Sequence, residues 1–386
     1  MRAVLATHGT MGDVQPFLAL ALELERRGHD VVLAAPPNFA ARAARVGVAF
    51  CPLGPGLDAQ ADGPRAEPAE QALHTLSSLL PTLAQMFREL AVVAERADVL
   101  VAFPYQLAGL MVHETTGIPY VSLHFSPFGA AGGRRFAEAT APPVNTVRRE
   151  MGLGPLRDPL GLDAISTSLA LFAVSQHVVR RAARWPAHYH LTGYFFLDEA
   201  PEPDPELVEF LARGERPVVV TFGSLTHERP EEVTALLLDA LGRAGCRAIL
   251  QRGWSELGRG PLPSSVLAAD FVPHSWLFPR ARCVVHAGGA GTTAAALRAG
   301  VPSVVVPHVL DQPLWARIAL DLRCAGAVLP FARLTAEDLA AGLERTMSSP
   351  TIAEHAARTA EKIRAEDGVK TACRLIEQAC GEPDGR

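Results

Sequence analysis

The sequence predicts an α/β protein made of two Rossmann-like domains, each a doubly wound parallel sheet. Three observations carry this reading. Short apolar runs alternate with helix-period segments along most of the 386 residues. The links between them are mostly short, as βαβ units require. An acidic, proline-rich stretch, DEAPEPDPE at 198–206, interrupts the pattern, which then starts again. A chain of this length suits two domains.

The elements follow in order. RAVLAT (2–7) reads as a buried strand. In the next segment Phe17, Leu20, Ala21 and Leu24 fall at i, i+3, i+4 and i+7, the apolar stripe of a helix, with Gly28 as its stop. DVVLAAP (30–36) is a strand, FAARAARVG (39–47) a helix and VAFCPL (48–53) a strand. A helix over 70–96, the strand DVLVAF (98–103), a helix over 106–116 and the strand PYVSLHF (119–125) continue the alternation. Two segments, 54–70 and 127–160, are rich in glycine and proline and read as long insertions. Insertions at that edge line a binding site or are simply mobile.

After the 198–206 linker the rhythm resumes. PVVVTF (217–222) is a strand, Gly223-Ser224 a turn and 230–244 a helix. Strands follow at CRAILQ (246–251), AADFVP (268–273) and ARCVVHA (281–287), then a helix at 292–299 and the strand PSVVVP (302–307). A last helix is expected over 351–379. The expected domains are 1–200 and 201–360, with 361–386 as a closing helical segment.

Composition narrows the function classes. Hydrophobic residues make up 48% and charged residues 20%, ordinary for a soluble globular protein. The net charge is -5 and RRAAR (180–184) is among the longest basic blocks, which argues against a nucleic-acid partner. Six cysteines lie far apart without a C-x-x-C, as expected of free thiols in a reducing compartment. The opening MRAVLATHGT lacks the apolar core of a signal peptide, and no apolar run reaches about 20 residues. A cytoplasmic location without a transmembrane segment is therefore expected.

The chemistry concentrates in HAGGAGTTAAALRAGVPSVVVPHVLDQP, from His286 to Pro313. A strand ending at His286 runs into the turn Gly288, Gly289, Ala290, Gly291, and a helix is expected from Thr292. Glycines let backbone N–H groups approach a ligand, and a helix N-terminus attracts anions. A phosphate cradle fits; so does a tight strand–helix turn with a core histidine. A dinucleotide fingerprint fits poorly, since the spacing is G-G-A-G-T and Asp311 lies beyond the strand end.

Together these residues resemble the UDP-glycosyltransferase superfamily, the family 1 glycosyltransferases, in its bacterial antibiotic and sterol-type branch. The resemblance covers nearly the whole chain. It rests on H-x-G-G-x-G-T (286–292), LRAGVP (297–302) and Asp311-Gln312, with FVPH (271–274), FGS (222–224) and GTMGDVQPF (9–17) in support. It implies a GT-B fold, two Rossmann-like domains facing across a cleft, with the acceptor on the first and the nucleotide sugar on the second. The final helix would return to the first domain.

The resemblance also implies roles. His286 should contact the α-phosphate, and Gly288, Gly289, Ala290, Gly291 and Thr292 should cradle the diphosphate, with Ser224 nearby. Phe271 should stack on the base and the Val272 backbone should read its edge. Trp254 is a further donor-side aromatic or a core tryptophan. Asp311 and Gln312 should bind sugar hydroxyls. Thr10, Met11 and His124 are candidate acceptor contacts, His124 having a core or rim reading beside it. Asp13 is the candidate base; it equally suits an N-cap of a helix starting near Val14. The fourth strand lacks the acid that supports a catalytic histidine in other members. No Asp-x-Asp occurs, so no metal and no cofactor are expected. The implied reaction is inverting transfer from a UDP or dTDP sugar to a lipophilic aglycone such as a polyketide, macrolide or sterol. A nucleotide-sugar epimerase and a non-catalytic binding partner are the alternatives. The expected partners are small molecules, with allowance for a weak homodimer.

Overall fold

The computed structural model describes residues 1–57, 68–126, 133–199, 202 and 204–381. They form two compact units, one reaching Leu197 and taking up the chain again from Glu366, the other spanning Asp198–Ala365. These divisions fall a few residues from the expected 200/201 and 360/361.

The first unit runs β1 (Arg2–Ala6), α1 (Met11–Arg26), β2 (Asp30–Ala35), α2 (Ala40–Val46), β3 (Phe50–Pro52), α3 (Pro68–Ala94), β4 (Val99–Ala102), α4 (Ala108–Thr116), β5 (Tyr120–His124), α5 (Gly133–Glu150), β6 (Leu169–Phe172) and β7 (Tyr189–Leu191). The strand order is β3-β2-β1-β4-β5-β6-β7, with every pairing parallel. Both faces of such a sheet are covered, so its strands read as unbroken apolar runs. Phe17, Leu20 and Leu24 of α1 are fully buried in one layer, and Leu83, Met86 and Leu90 of α3 in the other.

The second unit runs α6 (Pro205–Ala212), β8 (Val218–Thr221), α7 (Pro230–Arg243), β9 (Ala248–Gln251), β10 (Val266–Ala269), α8 (His274–Leu277), β11 (Cys283–His286), α9 (Ala290–Ala299), β12 (Ser303–Val305), α10 (Gln312–Asp321), β13 (Ala325–Val328), α11 (Ala336–Ser348) and α12 (Pro350–Arg364). Its order is β10-β9-β8-β11-β12-β13, again all parallel.

Two expectations need correction. The segment 127–160 is not one long loop, because α5 occupies Gly133–Glu150. Pro142 and Pro143 signalled a break, yet Phe136 and Val144 bury one face of the helix in the layer that α3 and α4 share. Tertiary packing overrode propensity there. Residues 127–132, and 58–67 of the other insertion, lie outside the described residues. Residues 200, 201 and 203 of the 198–206 linker are also outside them, while Asp204 caps α6 by accepting from Glu206 N at 2.8 Å.

The second correction concerns the expected helix over 351–379. It is two helices, α12 and then α13 (Gly368–Gly381), and the second belongs to the first unit. Ala372, Cys373 and Ile376 of α13 are fully buried in the layer that holds Phe17. Glu377 ties the helix down, accepting from Arg27 at 3.0 Å and lying 2.9 Å from His29 Nε2. The sixth, seventh and last strands and α11 escaped the sequence reading. The strands are short, and AGAV of β13 has little β-branched character.

Because Ile376 packs with no exposure, Ile376→Ala is expected to cost about 2–4 kcal/mol of unfolding free energy. Denaturant titration measures it, and a loss below about 0.5 kcal/mol would show that α13 is not part of this core.

Candidate active site

Each sheet has one point where its strand order reverses, between β1 and β4 in the first and between β8 and β11 in the second. Ligands of open α/β sheets bind outside the strand carboxyl ends at such points. Most of the sequence-predicted residues cluster there.

In the second unit β11 ends at His286, which is fully buried. Its Nδ1 accepts from Gly288 N at 3.1 Å. A neutral imidazole with an accepting Nδ1 carries its proton on Nε2. That Nε2 is buried without a partner among the described residues. Burial, and secondarily His274, pushes the pKa down to about 3, so the ring is neutral. The result is an N–H donor with nothing to donate to. Gly288 adopts φ 86, and a Cβ there would meet Val305 Cγ1 at 2.9 Å and Gln312 O at 3.0 Å. Only glycine passes through this gap.

Helix α9 begins at Ala290, two residues earlier than expected, with Gly289 as an N-cap that offers no side-chain bond. Ala290, Gly291 and Thr292 are thus its first three residues, and their N–H groups have no intrahelical acceptor. Gly291 is exposed and Thr292 half-buried. The half-buried Ser224 lies in the turn after β8. Trp254, half-buried after β9, donates its backbone N–H to Gly223 O at 3.1 Å and so leans on that turn.

The expected strand 268–273 ends at Ala269, which leaves Phe271 and Val272 in a loop. Phe271 is 48% exposed, high for a large apolar residue, with its ring 6.4 Å from that of His274. The Val272 carbonyl accepts from Gln251 Nε2 at 2.7 Å, and Gln251 Oε1 lies 3.2 Å from His274 Nε2. Gln251 and His274, which the sequence did not single out, therefore set the pose of this loop.

Asp311 and Gln312 open α10. Asp311 Oδ2 accepts from the indole N–H of the buried Trp315 at 2.8 Å, and burial raises the Asp311 pKa. Gln312 Oε1 accepts from the backbone N–H groups of His308 at 2.8 Å and Val309 at 3.0 Å. Its amide is oriented by these bonds, with the NH₂ end as the donor.

In the first unit α1 starts at Met11, so Asp13 is its third residue and not its N-cap. Thr10 is the N-cap. Asp13 Oδ2 accepts from Thr10 N at 2.7 Å and from Thr10 Oγ1 at 3.3 Å, the reciprocal arm of a capping box. Gly9 has φ 132, and a Cβ there would collide with the Asp13 carboxylate. Thr10 and Met11 are half-buried beside it. His124 is held inside the fold: it stacks on Phe172 at 4.7 Å, its Nε2 lies 2.9 Å from Ser122 Oγ, and burial lowers its pKa to about 3. Sequence reasoning missed the aromatics at the same sheet edge. Phe103 stacks on Phe125 at 5.0 Å and meets Tyr105 edge-on at 5.0 Å.

A family model described as the glycosyltransferase family 28 N-terminal domain matches residues 3–132. Another, described as the erythromycin biosynthesis protein CIII-like C-terminal domain, matches 235–374. The sequence is 34% identical over 417 residues to O-mycaminosyltylonolide 6-deoxyallosyltransferase of Streptomyces fradiae, covering 98% of this chain and 97% of that protein. The chain belongs to the UDP-glycosyltransferase superfamily, the family 1 glycosyltransferases. It is accordingly an NDP-sugar-dependent glycosyltransferase of the hexosyltransferase type, with the GT-B fold. It is also 30% identical over 413 residues to sterol 3-beta-glucosyltransferase UGT80B1 of Arabidopsis thaliana, covering 96% of this chain and 67% of that protein. Among solved structures, the glycosyltransferase SsfS6 of Streptomyces sp. SF2575, complexed with thymidine diphosphate, superposes with a TM-score of 0.69 at 23% identity. That superposition covers 98% of this chain and 99% of the other. Among the described residues no helix is long and apolar enough to cross a membrane.

The buried histidines give this glycosyltransferase a defined acid response. His124, His286 and His308 are pushed down to about 3, and His8 and His274 to about 4, all chiefly by burial. Their unfolded value is about 6.5. Between these limits the unfolded chain binds more protons, so stability rises with pH. Unfolding free energy is expected to fall steadily as pH drops from 6.5 towards 4. A flat profile by denaturant titration would contradict neutral burial of these rings.

Proposed function

We propose that the protein catalyses inverting transfer of a hexosyl group from a UDP or dTDP sugar to a hydroxyl of a lipophilic natural-product aglycone. The observation that carries this reading is the buried, partnerless Nε2–H of His286, next to the capless N-terminus of α9. A neutral donor and free helix N–H groups together suit a diphosphate. The two relatives named above act, by their names, on O-mycaminosyltylonolide and on a sterol, and the SsfS6 structure holds thymidine diphosphate.

In this reading the first unit holds the acceptor and the second the donor. Asp13 takes the proton of the acceptor hydroxyl. The oxygen bonds to the anomeric carbon as the bond from that carbon to the diphosphate oxygen breaks. The bond pair leaves with the nucleoside diphosphate. His286 Nε2–H, Thr292 and the N–H groups of Ala290 and Gly291 receive that negative charge, with Ser224 and the Gly288–Gly289 turn completing the cradle. Protein donors carry the leaving-group charge, so the mechanism calls for neither metal nor cofactor. Phe271 offers its face to the base, Val272 lines the base pocket and Trp254 braces the turn. Asp311 accepts from a sugar hydroxyl and Gln312 donates to one. Thr10 and Met11 flank the acceptor hydroxyl. Phe103, Tyr105 and Phe125 supply an aromatic surface at the same sheet edge that suits a large apolar aglycone.

Thermal shift with UDP and dTDP, followed by product mass against polyketide, macrolide and sterol aglycones, tests the reading as a whole. Asp13→Asn keeps an oxygen for Thr10 but removes the base. Turnover is expected to fall about 10²–10⁴-fold with little change in donor affinity, and a variant retaining half of wild-type turnover would remove Asp13 from catalysis. His286→Ala is expected to weaken binding of the bare nucleoside diphosphate by about 1.5–3 kcal/mol, the worth of a bond to a charged group. Unchanged affinity by calorimetry would return His286 to a core role.

A further inference from the structure

The loops after β8 and β12 are joined by a histidine pair that the mechanism above does not use. His227 Nε2 lies 3.2 Å from His308 Nε2. The Val306 carbonyl lies 2.8 Å from His308 Nδ1. A carbonyl can only accept, so His308 carries its proton on Nδ1 and a lone pair on Nε2. His227 Nε2–H is then the donor between the rings. Burial lowers both pKa values, that of His308 to about 3, so both rings are neutral. Phe331 stacks on His308 at 4.0 Å and Phe222 meets it edge-on at 4.9 Å. The rings are held in an aromatic box.

His308 also acts through its backbone. Its N–H, with that of Val309, grips Gln312 Oε1. Between these groups and α10 sits Leu310 at φ 52, a left-handed conformation that strains a residue with a side chain. A strained segment keeps its shape only when its surroundings hold it. The His227 bond anchors one end of this segment and α10 the other.

We infer that His227 is a positioning residue for the donor sugar. Through His308 it fixes segment 308–311, so that Gln312 presents its amide NH₂, and not its carbonyl, to a sugar hydroxyl. The inference rests on the donor-site reading proposed above. A hydroxyl meeting Gln312 must then act as acceptor, while one meeting Asp311 acts as donor.

The test compares His227→Phe with His227→Gln by calorimetry, using UDP and dTDP as bare nucleotides and UDP-glucose and dTDP-glucose as sugar nucleotides. Phenylalanine fills the aromatic box but cannot donate. Affinity for the better-bound sugar nucleotide is expected to fall about five- to tenfold, the scale of one lost hydrogen bond. Affinity for the matching bare nucleotide should stay within about twofold, a difference under roughly 0.5 kcal/mol. The glutamine amide nitrogen falls near the position of Nε2 and can donate, so His227→Gln should recover most of the loss. His227→Leu repeats the deletion if His227→Phe does not fold. Equal loss of both affinities together with a lowered Tm, or no loss at all, overturns the inference and leaves the donor site standing. A wild-type chain that binds neither UDP nor dTDP overturns the donor site and the inference with it.

Discussion

Parallel pairing is the constraint on which the rest depends. It sends every strand's carboxyl end, and every following helix's amino end, to one edge of its sheet. In both units the order reverses beside the first strand of the sheet, between β1 and β4 and between β8 and β11. Helices cross to opposite faces there and leave the edge open. Much of the candidate site's polar character hangs on these two openings. Asp13 follows β1, Ser224 follows β8 and His286 ends β11. The glycines complete the arrangement. Gly9 and Gly288 let backbone pass where a side chain would strike Asp13 or Gln312.

Several groups of the candidate site have clear structural duties, and the reading proposed above adds a chemical one to each. The sequence posed base against cap for Asp13, and the structure engages its Oδ2 in a capping box with Thr10. Asp311 repeats the arrangement, with Oδ2 on the Trp315 indole. Gln312 gives its carbonyl to the His308–Val309 turn and keeps its amide hydrogens. Each of these side chains is oriented by the bonds it makes, and an oriented group loses less entropy on meeting a ligand.

Local signals in the sequence were legible. Apolar periodicity placed most strands and helices, and H-x-G-G-x-G-T marked the strand–turn–helix that ends β11 and opens α9 before any geometry was known. What escaped was non-local. Helix α5 carries two prolines and forms because Phe136 and Val144 find a core to enter. The break between α12 and α13 depends on where the chain returns to the first unit, with the Gly368 backbone against that of Gly193. His227 and His308 are separated by 81 residues, so their bond leaves no mark on either local pattern. Val272 was assigned to the base pocket from its loop motif, but the Gln251 bond that poses the loop comes from a neighbouring strand.

Charge management explains why a buried, neutral histidine stands at the cradle. A protonated imidazole would hold a diphosphate more strongly, yet burying that cation without a partner is costly, and His286 responds by releasing its proton. The Gly288 N–H then selects the tautomer, since it can bond only to an unprotonated Nδ1. The proton must stay on Nε2, where no other acceptor reaches it. One backbone bond thus converts a titratable side chain into a fixed donor that keeps its form across the neutral pH range. The N-terminus of α9 adds N–H groups whose direction is set by the helix. A site of pre-aimed neutral donors need not reorganise as charge builds on the leaving oxygen. In the reading proposed above it would also let go of a spent diphosphate more readily than a buried cation, so one geometry would serve bond breaking and product release.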